Sequence, residues 1–147
     1  MEKLNTILFY NLDRAIRNYR NFAQRELKSH GFDITIDQWL VLKGITENPN
    51  MPQNELGKIV FKDNASVTRI IELLVKANYL SRSPHPMDRR KSKLKVTSKG
   101  IETLEQVQKI VEHNREIALQ SIPKEALSQM NNHLITIAEN CDIVKKT

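Results

Sequence analysis

The residues that could do chemistry in this chain are cations, and they are concentrated in one segment. Eleven of the 23 lysines and arginines lie between positions 58 and 99, against three of the 17 acidic residues. This segment therefore carries a net charge of +8, and the rest of the chain carries −2. Such a local excess is typical of a surface that binds a polyanion. A basic face that only maintains solubility would give the same count, so the order of the predicted elements must decide.

The most informative element in this segment is a helix predicted over residues 64–77. One face is apolar and anchors the helix in a core, whereas the opposite face offers small, hydroxyl and charged groups. A helix with one polar face of this kind fits the major groove of B-DNA, which is about 12 Å wide. The apolar face contains Val67, Ile70, Ile71 and Leu74, and the polar face contains Ala65, Thr68, Arg69, Glu72 and Lys76.

Two short alternating runs follow this helix and predict a β-hairpin. They cover residues 79–82 and 94–97, and the connection between them is rich in prolines and cations. Such a connection cannot be buried, so we expect it to project into solvent. Asn78 lies between the helix and the hairpin, where its side chain suits the left-handed backbone that ends many helices.

Two helices are predicted before the basic segment. A long amphipathic helix has its first apolar position at Leu4 and ends near Gly31, which can adopt a left-handed cap. A second helix begins at Thr35 or Asp37, both suitable N-cap residues, and ends before Pro49.

Three more helices complete the predicted order. A short third helix covers residues 53–60, with Leu56 and Ile59 facing inward, and a fifth follows the hairpin with Thr97 or Ser98 as its N-cap. The sixth helix has apolar residues at alternating steps of three and four, the spacing of a seam packed against other helices. These residues are Leu127, Met130, Leu134, Ile137, Cys141 and Val144.

Length and composition restrict the function classes. A chain of 147 residues suits one domain. No run approaches the roughly 20 apolar residues of a membrane span, and the start lacks the apolar run of a signal peptide, so we expect a soluble cytoplasmic protein without membrane contact. The four histidines never pair at a ligand spacing, and no phosphate-binding glycine loop or nucleophile elbow occurs. We therefore predict neither an enzyme nor a metal or cofactor site.

The ordered motifs resemble the MarR family (multiple antibiotic resistance regulators) of bacterial transcription factors. Residues 34–42 are similar to the family's helix "lT-x-x-Q-w-x-v-L", and the likeness continues through residues 53–57, 65–69 and 74–80. Residues 88–90 and 96–100 look like the wing motifs "D-x-R" and "L-T-x-x-G". Asn78 replaces the usual Gly, and Val96 replaces the usual Leu. The first helix lacks the reactive Cys of the peroxide-sensing branch, so thiol-based sensing is not predicted.

The resemblance implies a mainly α fold with a small β-hairpin wing: a winged helix-turn-helix with six helices, dimeric through its N- and C-terminal helices. In one domain of residues 1–147, residues 32–100 would bind DNA, and residues 1–31 and 101–147 would form the dimer. The implied function is sequence-specific binding of double-stranded DNA by a homodimeric repressor at a pseudo-palindromic operator, with release by a small-molecule effector. A sequence-indifferent architectural DNA binder and a protein-interaction module are the alternatives.

The predicted DNA contacts fall on two elements. The recognition helix supplies Asn64, Ala65, Ser66, Thr68 and Arg69, although simple helix capping is the alternative for the first two. The resemblance implies that Arg90 of the wing enters the minor groove while Asp88 braces its guanidinium group. The other wing cations are expected to contact phosphates, which set affinity without reading sequence. They are Arg89, Lys91, Lys93 and Lys95.

Two further predictions concern apolar and aromatic residues. The single cysteine, Cys141, falls on the seam of the sixth helix, where a free Cys usually behaves as a small buried hydrophobe. An aromatic effector would require a pocket between the N-terminal helix and the DNA-binding region, but simple core packing is the favoured interpretation. The candidate pocket residues are Tyr10, Tyr19, Phe22 and Trp39.

Overall fold

A computed structural model describes residues 1–88 and 90–145, and in that part the fold is mainly α-helical with one antiparallel hairpin, as predicted. A 3₁₀ turn at Leu4–Thr6 precedes the first α-helix. The elements are α1 (Leu8–Ser29), α2 (Ile36–Glu47), α3 (Gln53–Val60), α4 (Asn64–Lys76), β1 (Leu80–Pro84), β2 (Ser92–Val96), α5 (Ser98–Ala118) and α6 (Lys124–Lys145).

The chain divides into two compact units, residues 1–114 and residues 115–147. The first unit contains one hydrophobic core, to which α1, α2, α3, α4, the hairpin and α5 all contribute. Its most deeply buried side chains come from the centre of this helical set and from the start of β1. These include Ile34, Val41, Leu42, Val67, Ile71, Leu74, Leu80 and Val107.

The helix ends follow local chemistry that the sequence carries. The N-cap of α2 is Thr35 rather than Asp37, because the Thr35 side chain accepts from the backbone N–H of Gln38 in a reciprocal capping box. Gly31 takes a left-handed backbone (φ 84°) just after α1. The α-helix itself begins later than expected, since Leu4 lies in the 3₁₀ turn.

One inward assignment was wrong. Ile59 is 48% exposed, whereas Leu56 is buried as predicted. The buried face of α3 passes through Leu56, Gly57 and Val60, so Ile59 lies to one side of it. An eight-residue helix is too short for its apolar spacing to identify the buried face reliably.

The hairpin is attached to the core where α4 ends and α5 begins. Asn78 adopts the predicted left-handed backbone (φ 65°). The hydroxyl of Thr97 donates to the carbonyl oxygen of Asn78 at 2.6 Å and accepts from the backbone N–H of Gly100 at 3.0 Å. A Cβ atom on Gly100 would collide with the carbonyl oxygen of Tyr79, so only glycine fits this close approach.

In the second unit, the apolar seam of α6 is largely uncovered. Met130 and Leu134 are exposed, and so is Cys141, which corrects the prediction of a buried cysteine for the chain taken by itself. A single helix cannot cover its own seam. The side chain of Val144, the last predicted seam residue, lies outside the described part. No helix in the described part of the chain is long and apolar enough to span a membrane.

Candidate nucleic-acid interface

Helix α4 presents a polar face because its apolar face is fully used by the core. Val67, Ile71 and Leu74 are each 0–1% exposed, and Ile70 packs partly buried against the same core. The remaining positions of the helix therefore face outward. Asn64, Ala65, Arg69, Glu72 and Lys76 are exposed, and Ser66 and Thr68 are half-buried.

The N-cap of α4 is Asp63, so capping is not the role of Asn64 or Ala65. The Asp63 carboxylate accepts from the backbone N–H of Ser66 at 2.7 Å. The backbone hydrogen bond from Ser66, and to a smaller extent the one from its side chain, hold the pKa of Asp63 below its ordinary value. The first turn of α4 is therefore ordered while the Asn64 and Ala65 side chains remain at the surface.

The side chain of Gln53 in α3 joins two residues of α4. Its amide nitrogen donates to the Thr68 hydroxyl at 2.6 Å and to the Asn64 side-chain oxygen at 3.0 Å. The Thr68 hydroxyl also donates to the carbonyl oxygen of Asn64 at 2.9 Å. The hydrogen-bonding capacity of Thr68 is thus engaged inside the protein, which leaves less of it for a base edge than the sequence suggested.

The turn between α3 and α4 is anchored by an ionic cluster. Asp37 at the start of α2 pairs with Arg20 of α1 and, at 3.1 Å, with Lys62 in the turn. Partial burial acts to raise the pKa of Asp37, but the hydrogen bonds from Lys62 and Arg20 and their positive charges outweigh it and lower the pKa. The cluster therefore connects the turn before α4 to helices α1 and α2.

The wing presents two different faces. Leu80 pairs with Val96 and Arg82 pairs with Leu94, and the apolar members of these pairs contact the core. Side chains alternate between the faces of a strand, so the intervening residues point the other way. Lys93 and Lys95 lie on this outward face and are exposed, as phosphate contacts would require.

The wing tip differs from the prediction in one contact. Asp88 accepts from the backbone N–H of Arg90 at 3.0 Å, which closes a local turn. Among the described residues, no ion pair joins the Asp88 carboxylate to the Arg90 guanidinium, because the carboxylate is turned toward the backbone. Arg90 and Lys91 are exposed at the tip. Arg89, another predicted contact, lies outside the described residues.

A cleft of about 740 Å³ separates the start of α4 from the wing and brings predicted contacts of both elements together. Its lining includes two predicted contacts of the recognition helix and three predicted contacts of the wing: Asn64, Thr68, Arg90, Lys91 and Lys93. The other predicted contacts among the described residues, Ala65, Ser66, Arg69, Asp88 and Lys95, are not part of this lining.

The four candidate effector residues do not line this cleft. Trp39 is buried in the core of the first unit, and its indole nitrogen has no hydrogen-bond partner among the described residues. Tyr10 is exposed on α1, whereas Tyr19 and Phe22 are half-buried on the same helix.

Comparison with known protein families gives a direct result for the region just described. Residues 34–92, from the residue before the α2 cap to the first residue of β2, match the model of the MarR family. Over this segment the chain is similar to the MarR family.

The relatives of this chain are named as regulators. An uncharacterised HTH-type transcriptional regulator, YybA of Bacillus subtilis (strain 168), is 26% identical over 88% of this chain and 83% of the relative. The HTH-type transcriptional repressor IacR of Pseudomonas putida is 21% identical over 91% of this chain and 79% of the relative. The chain is therefore similar, over most of its length, to proteins named as transcriptional regulators.

Solved structures establish the fold over nearly the whole chain. A cysteine-to-serine mutant of MarR from E. coli, complexed with operator DNA, gives a TM-score of 0.80 at 21% identity, covering 93% of this chain and 99% of that chain. BpsR of Bordetella bronchiseptica, whose DNA binding is regulated by 6-hydroxynicotinic acid, gives 0.83 at 20% identity, covering 94% and 97%. The winged helix-turn-helix of the MarR family is therefore the fold of this protein.

Sequence reasoning missed one residue and overestimated others at this candidate interface. Gln53 was placed only within the third helix, and no local pattern could reveal that it contacts α4. Among the ten described cations of the basic segment, three have partners inside the protein. Lys58 pairs with Glu55, Lys62 with Asp37, and Lys99 donates to the carbonyl oxygen of Ala77 at the end of α4.

Proposed function

We propose that this protein is a MarR-family repressor that binds a pseudo-palindromic operator as a homodimer and is released by a small-molecule effector. The observation that carries the DNA-binding part is the shared cleft, in which Asn64 of α4 and the wing cation Arg90 line the same surface. A repressor among the relatives supports the direction of regulation.

Docking would use the two elements differently. Helix α4 would enter the major groove, with Asn64, Ala65 and Arg69 nearest the bases. Arg90 at the wing tip would reach the minor groove, where narrow segments concentrate negative potential. Lys91 and the outward lysines of β2 would contact phosphates and supply affinity for any duplex.

The homodimer is proposed from apolar surface at both ends of the chain. In α1, Leu8 and Phe9 are exposed, and in α6 Met130 and Leu134 are exposed. Exposed apolar side chains grouped on a helix are typical of a surface that a partner covers. Residues 1–31 and 101–147 would form the dimer, and its two α4 helices would lie roughly 34–36 Å apart, one turn of DNA.

Release by an effector requires a preference between two dimer geometries, because a ligand with equal affinity for both shifts nothing. The DNA binding of BpsR is regulated by 6-hydroxynicotinic acid. This supports small aromatic compounds as the class of effector for the chain described here. Tyr10, Tyr19, Phe22 and Trp39 remain the candidate contacts, with Trp39 of primary interest because its indole nitrogen is buried without a partner in the described structure.

The experiment that tests operator binding is selection of bound sequences from a random duplex pool, followed by salt titrations on the selected and a random duplex. We expect a palindrome with fixed half-site spacing and a log–log salt slope of roughly −0.9 per phosphate contact. Equal affinity for every duplex would instead identify an architectural DNA binder. If the protein bound no DNA, the protein-interaction module would be the remaining hypothesis.

Repression and release are tested with the selected operator upstream of a reporter gene. Deletion of the regulator should raise reporter expression, and lower expression after deletion would identify an activator. A panel of small aromatic acids and phenols should contain compounds that weaken operator binding by the purified protein. If no compound in a broad panel changes binding, effector release is wrong while operator binding stands.

A further inference from the structure

The hydrogen bonds between α3 and α4 determine which atoms of the Asn64 side chain face outward. A hydroxyl group has one proton to donate. The Thr68 hydroxyl lies 2.9 Å from the carbonyl oxygen of Asn64, which can only accept, so the proton of Thr68 is used there. Toward Gln53, 2.6 Å away, the Thr68 oxygen can therefore only accept.

The structure orients the amide of Gln53 to match. Its NH₂ group faces Thr68 and donates to the Thr68 oxygen. The same nitrogen lies 3.4 Å from the backbone carbonyl oxygen of Asn64, where an oxygen of Gln53 would be repelled. Both contacts favour the nitrogen in the position that the structure gives it.

The amide of Asn64 is fixed in turn. The Gln53 nitrogen is 3.0 Å from the Asn64 side chain, and an NH₂ group can only donate. Asn64 must therefore turn its oxygen toward Gln53. Its nitrogen points away with two protons, and in the described part of the chain that nitrogen donates to no protein atom. Asn64 is exposed at the first position of α4, beside the cleft shared with the wing.

A free asparagine commonly reads adenine, with its nitrogen donating and its oxygen accepting. With its oxygen turned to Gln53, Asn64 presents its donor group instead. The base edge that offers two acceptors in the major groove is that of guanine, through N7 and O6. We propose that Gln53 is a positioning residue that makes Asn64 a donor-only reader, so that each operator half-site carries guanine opposite Asn64. This inference rests on the proposed operator binding.

The deciding variant is Gln53→Glu, which has nearly the same shape but can only accept. The introduced carboxylate would draw the nitrogen of Asn64 toward itself and turn the oxygen outward. The preference at that base should then change from guanine to a base that offers a donor, cytosine or adenine. For the wild type we expect roughly a tenfold preference for guanine over the other bases, and the variant should lose or reverse it.

Two controls separate this effect from charge. Asn54→Asp adds the same charge at the neighbouring position of α3, where the side chain is exposed, and it should weaken binding to all operators equally. Asn64→Ala identifies the base that Asn64 contacts, because this variant should lose its base preference at that operator position only. In an Asn64→Ala background, Gln53→Glu should no longer change the ranking of bases.

The measurement is the affinity of each folded variant for operators that carry each of the four bases at that position, with thermal unfolding as the check on folding. If Gln53→Glu weakens all four duplexes in proportion, as Asn54→Asp does, Gln53 is structural only and the inference is overturned. A wild-type preference for adenine at that base overturns it as well. Loss of all sequence preference by the wild type would instead refute the proposed operator binding, and this inference with it.

Discussion

Helix α4 and the wing both face the cleft, but the protein holds them in different ways. Helix α4 is fixed by buried apolar residues, by the Asp63 cap and by the hydrogen bonds from Gln53. The wing is a hairpin of five residue pairs, and beyond its buried first residue, Leu80, strand β1 is exposed. One DNA-facing element is therefore ordered from several directions, whereas the other is ordered mainly at its base.

This difference suits two kinds of contact. Hydrogen bonds to base edges depend on donors and acceptors held within a fraction of an ångström, which requires a supporting shell such as the one around α4. Phosphate contacts made by lysines tolerate movement, since they depend mainly on charge. We therefore expect α4 to determine which sequences are bound and the wing to determine how tightly.

The largest effect should come from Gly100→Ala, which disturbs the joint where the hairpin, α4 and α5 meet. The added methyl group would collide with the carbonyl oxygen of Tyr79, a backbone atom that cannot easily move. We expect a loss of about 3 kcal/mol in the free energy of unfolding, at the upper end for overpacking, measured by thermal or urea unfolding. Glu105→Ala, an exposed change in the same helix, should have little effect. Equal stability of the two variants would show that the joint can relax.

Arg69→Ala and Lys93→Ala should separate specificity from affinity. Both residues are exposed, one on α4 and one on the outward face of the wing. Arg69→Ala should weaken operator binding by about tenfold and reduce the preference over a random duplex. Lys93→Ala should weaken both duplexes alike and reduce the salt slope by about one unit. If both variants lost affinity uniformly, the division between helix and wing would be wrong.

A smaller effect is expected from Asp37→Asn, which releases the anchor of the α3–α4 turn. Its partners Arg20 and Lys62 and Asp37 itself are each about a third or more exposed, so the ion pairs should contribute about 1 kcal/mol or less. Operator binding should become weaker because α4 is less firmly positioned. The contacts made by the wing should not change.

The pH dependence of this effect has a definite sign. The pKa of Asp37 is lowered in the folded protein, so its charge stabilises the fold above the unfolded pKa of about 4, and that contribution is lost as the pH falls. The stability difference between wild type and Asp37→Asn should be complete near pH 7 and decrease as the pH falls below about 4, through the lowered pKa of Asp37. Glu47→Gln, which breaks only an exposed pair with Lys43 in α2, is the control.

The smallest effect should come from the turn at the wing tip. Asp88→Asn keeps an oxygen that can accept from the backbone of Arg90, whereas Asp88→Ala removes it. We expect the Asn variant to bind every duplex more tightly than the Ala variant, by about fivefold at most, the value of one net hydrogen bond. A change in base preference would instead mean that the tip reads sequence.

Much of the fold was determined by local sequence. The spacing of Val67, Ile71 and Leu74 identified the buried face of α4, and the alternating runs predicted the hairpin. Thr35 and Asn78 were correctly placed at a helix start and at a left-handed position. These features depend on residues a few positions apart, so periodicity and capping chemistry are sufficient to predict them.

The tertiary structure alone decided which polar groups remain available. Gln53 meets Asn64 from eleven positions away, and Lys99 meets the carbonyl oxygen of Ala77 from twenty-two. Lys62 is paired with Asp37, although the charge count placed it with the cations of the basic segment. Hydrogen bonds and ion pairs between separate elements depend on how those elements pack, which local patterns do not encode. The sequence therefore located the basic segment and its helix, and packing determined which donors and acceptors that helix offers.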